Sequence, residues 1–228
     1  MENATATNSP LISANELATL TGDSNLVLVD ARAGADAKQR YAIGHLEGAI
    51  HVDLEKDLSR PLVNAAEGGR HPLPDASDFA VLLGKLGINP DKQVVVYDDK
   101  SGANAGARFW WMLRSIGHEQ VRLLDGGLQA ALQQGMQLNK DEVTAVVLPP
   151  YPKTKWTWPI VTIDEVEKRA TDPSWMVIDV REGYRFLGES EPIDLSAGHI
   201  PGAVNIPYPG NLSGNGTFLP KEELKDKY

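Results

Sequence analysis

The strongest constraint on this chain is an internal repeat, because segments that recur in order define a module before any strand or helix is assigned. Ser13-Ala14-Asn15-Glu16 precedes the apolar run Leu26-Val27-Leu28-Val29, which ends in Asp30-Ala31-Arg32. Thr162-Ile163-Asp164-Glu165 precedes Trp175-Met176-Val177-Ile178, which ends in Asp179-Val180-Arg181, at the same separation as in the first copy. Gly44-His45-Leu46-Glu47-Gly48-Ala49-Ile50-His51-Val52 is then echoed, after a short insertion, by Gly198-His199-Ile200-Pro201-Gly202-Ala203-Val204-Asn205-Ile206. Each copy opens on a Ser or Thr with Glu three residues later, the pattern in which side chain and backbone cap one another at a helix start.

Between the copies, Leu148-Pro149-Pro150-Tyr151-Pro152-Lys153 is proline-rich and shows neither helical nor strand periodicity, which marks a boundary. The expected organisation is a first module over residues 11–147, a linker over 148–155 and a second module over 156–228. In the first module, apolar runs at 26–29, 49–52, 94–97 and 121–124 alternate with helical patterns at 35–43, 75–86, 104–116 and 128–134. Continuous apolar strands separated by helices predict an α/β fold in which a parallel sheet is covered on both faces. The second copy holds only the first part of this pattern. By the logic of the repeat roughly 50 further residues are expected beyond Tyr228, so the second module is expected to be incomplete.

Composition narrows the function. With 22 Lys+Arg against 31 Asp+Glu the formal net charge is −9, which argues against a nucleic-acid partner, since binding phosphates needs a basic face. Hydrophobic residues at 42% and charged residues at 23% describe an ordinary globular chain. No run approaches the length of a membrane span, and Met1 to Pro10, read as a frayed polar lead-in, lacks the basic and apolar regions of a secretory signal. No membrane partner is therefore expected, and a cytoplasmic location is the default. There is no cysteine, which removes disulfides, thiolate metal sites and every thiol nucleophile from these residues. His51, His71 and His118 show no metal-site spacing, so neither a metal nor another cofactor is expected.

In open parallel sheets, ligands bind beyond the carboxyl ends of the strands, where a loop enters a helix N-terminus. Asp98-Asp99-Lys100-Ser101-Gly102-Ala103-Asn104-Ala105-Gly106 is such a loop. Its glycines permit a sharp turn, and the following helix turns free N–H groups toward the loop. An aspartyl phosphotransferase reading of Asp98 and Asp99 wants another acid two residues on, and that position is Lys100. Asp98 is better read as an acidic filler stabilised by the helix N-terminus.

The motifs quoted, with Val94-Val95-Val96-Tyr97-Asp98, Ala107-Arg108-Phe109-Trp110-Trp111-Met112-Leu113 and Leu123-Leu124-Asp125-Gly126-Gly127-Leu128, resemble the tandem-domain rhodanese family of thiosulfate and 3-mercaptopyruvate sulfurtransferases. The resemblance runs from Leu11 to Tyr228. It implies two modules of one fold, the first without a nucleophile, and Asp98 as the counterpart of the catalytic cysteine. It also implies a cysteine in the corresponding loop of the second module, past the end of this chain, so that the 228 residues alone are expected to be inactive. The implied reaction moves sulfane sulfur from a small anionic donor, thiosulfate or 3-mercaptopyruvate, through a cysteine persulfide to cyanide or a thiol. Within Asp179-Val180-Arg181-Glu182-Gly183-Tyr184-Arg185-Phe186-Leu187-Gly188, the residue that the resemblance sets facing the donor anion is Arg185. Mercaptopyruvate-type members carry a second arginine nine residues on. Here that position is Asp194, which leans the reading toward thiosulfate.

Blander readings stand beside these. Arg185 could be a surface arginine paired with Glu182 or Glu189. Arg181, mirrored by Arg32 in the module without a nucleophile, is expected to be structural, as are His45 and His199. The apolar run 109–113 is expected to lie in the core or between modules. The competing function is a cysteine-free, catalytically inactive rhodanese-like module that binds or regulates; a phosphatase on a related fold would also need the absent cysteine.

Overall fold

The computed structural model describes residues 9–64, 69–194 and 196–228. The chain divides into two compact units, one ending at Thr157 and one beginning at Trp158. In the first, the elements in order are β1 (Leu11–Ile12), α1 (Ala14–Leu20), β2 (Leu26–Asp30), α2 (Ala37–Ile43), β3 (His45–Leu46), β4 (Ala49–His51), α3 (Ala76–Lys85), β5 (Gln93–Tyr97), α4 (Ala105–Ser115), β6 (Val121–Leu124), α5 (Gly127–Gln133) and β7 (Leu138–Asn139). The predicted capping box is present: the Ser13 hydroxyl accepts from the Glu16 amide at 3.2 Å, and the Ser13 amide donates to the Glu16 carboxylate at 3.0 Å.

The five-stranded sheet runs β1-β6-β5-β2-β4 with every pair parallel, and β3 pairs antiparallel with β7 in a small separate sheet. Strand β2 lies between β5 and the edge strand β4, in register with β5 from Leu26↔Gln93 to Asp30↔Tyr97 and with β4 from Leu28↔Ala49 to Asp30↔His51. On one face Leu28, Val95 and Tyr97 pack in a cluster with Leu17 of α1 and with Leu128 and Ala131 of α5. Successive strand residues point to opposite faces, so Val27, Val29, Val94 and Val96, all buried, turn to the other. There α4 packs on β5 and β6, and the rings of Phe79 and Phe109 meet edge to face. Each such buried aliphatic side chain contributes about 1.5–3 kcal/mol, which is why continuous apolar runs become central strands.

Four of the strands and four of the helices fall where the periodicity places them, within a residue or two at each end. In α4 the run 109–113 is buried at Phe109, Met112 and Leu113, whereas Trp110 and Trp111 are half-buried. At the N-terminus residues 1–8 lie outside the described residues. Pro10 is already engaged, its carbonyl accepting from the Leu123 amide at 2.8 Å.

The proline-rich segment is not a free linker. The Leu148 amide donates to the Gly84 carbonyl and the Tyr151 amide to the Ala80 carbonyl, each at 2.9 Å, and Thr157 reaches the Ser115 carbonyl at 2.7 Å. Tyr151 is buried against His118, and Trp156 lies against Phe79. Gly84 permits this approach, since a Cβ there would stand 2.6 Å from the Pro149 carbonyl oxygen. An extended chain without periodicity can still find partners on a helix flank, so residues 148–157 belong with the first compact unit, whose end at Thr157 stands beside the expected module start at 156.

The second unit contains α6 (Ile163–Arg169), β8 (Ile178–Asp179), α7 (Gly183–Phe186), β9 (Val204–Asn205), a 3₁₀ turn (Tyr208–Asn211) and α8 (Lys221–Lys225). Its capping box at Thr162 and Glu165 repeats the first. Strands β8 and β9 pair in parallel with Asp179 opposite Asn205, as Asp30 stands opposite His51. Among the described residues nothing pairs with the other edge of β8. The expected strand accordingly shortens to two residues, with Trp175 and Met176 exposed outside it.

Candidate functional site

The same brace recurs at the end of the first strand in both units. In the first, Arg32 Nε lies 2.9 and 3.1 Å from the two Asp30 carboxylate oxygens, and Nη2 donates to Asp30 at 2.8 Å and to the Gly44 carbonyl at 2.7 Å. In the second, Arg181 makes the same contacts with Asp179 and reaches the Gly198 carbonyl at 2.7 Å. The histidine after each glycine is wired alike. His45 Nδ1 lies 3.0 Å from the Tyr41 carbonyl under a stacked Tyr41 ring, and His199 Nδ1 lies 2.7 Å from the Phe186 carbonyl under a stacked Phe186 ring. A bond set that both units keep ties the loop after the helix to the end of the strand.

The two braces differ in burial. Asp30 is fully enclosed, and burial pushes its carboxyl above the usual range against the pull of Arg32. Asp179 is less enclosed, and the hydrogen bond from Arg181 holds it below that range.

Beyond β5, Asp98 occupies the loop that the sequence singles out. Its side chain is buried and accepts four backbone amides: Lys100 and Gly102 at 2.8 Å on Oδ1, Asn104 at 3.0 Å and Gly106 at 2.9 Å on Oδ2. The loop coils around the carboxylate because Gly102 takes φ +79°, while Ser101 accepts a left-handed φ of 62°. Gly127 approaches so closely that a Cβ would stand 2.6 Å from the Asp98 carbonyl oxygen. Amides converging from a loop and a helix start form an anion cradle, and here the anion is the protein's own carboxylate. Arg40 from α2 pairs with the neighbouring Asp99 and with Asp36.

In the second unit, Arg185 sits on α7 with its side chain 9% exposed. Its partners are not Glu182 or Glu189 but Glu191 and Asp194. Nε lies 3.1 and 3.0 Å from the two Glu191 oxygens, and Nη2 lies 2.9 Å from Glu191 Oε1 and 2.8 Å from Asp194 Oδ2. Glu191 also accepts the Ile193 and Asp194 amides at 3.0 and 3.1 Å and reaches Arg181 at 3.4 Å. The bond from Arg185, then the two amides, hold the Glu191 carboxyl down at about 2. Sequence reasoning missed this hub because its partners lie along a loop, where no periodicity pairs them.

These shifts set an expected acid response. Glu191, ordinarily near 4.5, and Asp179, ordinarily near 3.8, are both depressed in the fold. Their contributions are complete above those values and are lost as pH falls through the lower folded values. Asp30 is raised, so its protonation on the way down relieves a burial cost. Between pH 5 and 2 the Ile193 and Asp194 amides should therefore lose hydrogen-exchange protection before those of β2 and β5. The reverse order would contradict this assignment.

The rhodanese-like domain model matches residues 13–134 and 162–227. A probable 3-mercaptopyruvate sulfurtransferase of Pseudomonas aeruginosa is 39% identical over 225 residues, spanning 96% of this chain and 78% of the relative. A putative thiosulfate sulfurtransferase of Mycobacterium tuberculosis is 37% identical over 92% of this chain and 74% of its own length. Among solved structures, 3-mercaptopyruvate sulfurtransferase from Leishmania major superposes with a TM-score of 0.82 at 28% identity, over 98% of this chain and 62% of that one. The Escherichia coli 3-mercaptopyruvate enzyme gives 0.78 at 31% identity, over 96% and 82%. With its parallel sheet, its repeated strand-end brace and these matches over both units, the chain belongs to the rhodanese-like family.

Proposed function

We propose that this chain forms most of a sulfurtransferase whose nucleophilic cysteine is supplied by residues beyond Tyr228, with thiosulfate or 3-mercaptopyruvate as donor. What supports the reading is the match of both segments to the rhodanese-like domain, together with 32–39% identity along most of the chain to enzymes of those two names, in a chain that has no cysteine of its own. In the proposed reaction a cysteine thiolate attacks the outer sulfur of thiosulfate, the S–S bond breaks, and sulfite leaves with the electron pair. Cyanide or a thiolate then attacks the terminal sulfur of the persulfide and returns the cysteine thiolate. Arg185 is the cation proposed to hold the donor anion. The first unit then serves as scaffold, its own cradle closed by Asp98.

The second reading, a cysteine-free binding or regulatory module, is favoured by the lack of any cysteine among the 228 residues. A thiosulfate:cyanide and mercaptopyruvate:cyanide assay separates the two when run on the 228-residue chain and on the chain extended by whatever its gene encodes after Tyr228. Thiocyanate from the extended chain and none from the 228 residues is the expected result. Thiocyanate from the 228 residues overturns the cysteine route, and none from either leaves the binding module.

A further inference from the structure

The two carboxylates on Arg185 are not equivalent. Glu191, its side chain 4% exposed, touches Arg185 through both oxygens and is itself fixed by two backbone amides and Arg181. Asp194 is half-exposed, its side chain 43% accessible, and among the described residues its carboxylate has one partner, Arg185 Nη2, at 2.8 Å. Its backbone is anchored separately, through its own amide to Glu191 at 3.1 Å. Arg185 Nη1 has no hydrogen-bond partner among the described residues. A guanidinium receives a two-oxygen anion along one edge, with two parallel N–H donors. Glu191 takes the Nε side, so the edge left for an incoming anion is Nη1 with Nη2, and Asp194 holds its Nη2 end.

We propose that Asp194 is a displaceable internal counter-ion that occupies the anion-receiving edge of Arg185 and sets its affinity, while Glu191 is the positioning residue that holds the guanidinium in place. The proposal rests on the donor role of Arg185 given above. It assigns opposite signs to two carboxylates on one arginine. Neutralising Asp194 frees the edge and raises anion affinity, whereas neutralising Glu191 loosens the guanidinium and lowers it. A half-exposed pair of this kind is worth up to about 1 kcal/mol, so the expected gain is about two- to fivefold.

The test is titration of the 228-residue chain with thiosulfate at constant ionic strength, by calorimetry and by the ¹⁵N resonance of Arg185 Nε, for the wild type, Asp194→Asn, Asp194→Ser, Glu191→Gln and Arg185→Gln. Tighter binding in both Asp194 variants with weaker binding in Glu191→Gln is the expected result. Unchanged or weaker binding in the Asp194 variants overturns the counter-ion role, and so does an absence of binding in wild type and Asp194 variants alike. Binding that Arg185→Gln leaves intact, in a chain with unaltered circular dichroism, removes the donor role of Arg185 itself. Loss of binding in Arg185→Gln without a gain in the Asp194 variants removes the counter-ion role alone.

Discussion

Arg32→Ala lowers the stability of the first unit by about 3–5 kcal/mol, the usual cost of leaving one member of a buried ion pair without the other. Asp30 has no exposed surface and the Arg32 side chain is 4% exposed. The guanidinium supplies three of the contacts that make the buried charge tolerable, and the Tyr97 hydroxyl supplies another. Burial already raises the Asp30 carboxyl, so without Arg32 it rises further. A raised acid costs more stability as pH climbs from the unfolded value near 3.8 through the folded one, so the deficit should be larger at pH 8 than at pH 5. Removing both charges in Asp30→Asn/Arg32→Met should recover most of the loss, because two matched neutral groups bury more cheaply than one charge. The repeat supplies an internal control. Arg181→Ala breaks the same bonds, yet that side chain is 28% exposed and Asp179 is partly solvated, so the expected loss is about 1 kcal/mol. Urea unfolding with hydrogen exchange resolved to β2 and β8 measures both. Equal losses at the two positions would show that burial does not set the cost.

What could be read before folding follows from how each element is held. Strands β2 and β5 are continuous apolar runs because both faces are covered, and the requirement is written into Leu26-Val27-Leu28-Val29 and Val94-Val95-Val96-Tyr97. The capping boxes are local by construction and were equally legible. The two-residue strands β1, β3 and β7 were not, because their hydrogen bonds come from partners distant in sequence, such as Leu11 on Leu123 and His45 on Asn139. The prolines at 148–155 announced an extended chain, but not that a helix flank would accept it through the Gly84 and Ala80 carbonyls. The motif around Arg185 located the arginine, yet its partners Glu191 and Asp194 follow from the path of a loop. For Asp98 the sequence indicated an acid at a helix start, whereas the cradle of four amides depends on the path the loop takes around the carboxylate.

That cradle carries the second large effect: Asp98→Ala is expected to cost about 3–5 kcal/mol. Substitution leaves the Lys100, Gly102, Asn104 and Gly106 amides facing each other without their acceptor. A buried donor stripped of its partner costs about 1–3 kcal/mol, and bonds to a charged acceptor are worth more than neutral ones. Water entering the vacated space returns part of this, which keeps the total below the sum of four separate losses. The loop also carries a left-handed Ser101, a conformation that persists only while its surroundings dictate it. Asp98→Asn separates charge from shape. It keeps the size and one acceptor oxygen, but turns an NH₂ group toward two of the four amides, so its loss should fall between wild type and alanine. Urea unfolding gives the magnitude, and exchange at Gly102 and Gly106 shows whether the loop opens before β5 does. If Asp98→Ala costs less than 1 kcal/mol with those amides still protected, the cradle is held by the glycine turns and α4 alone. If the loss is large and a small oxyanion such as sulfate restores stability to the alanine variant in proportion to its concentration, the carboxylate stands in for an anion that the loop is built to hold.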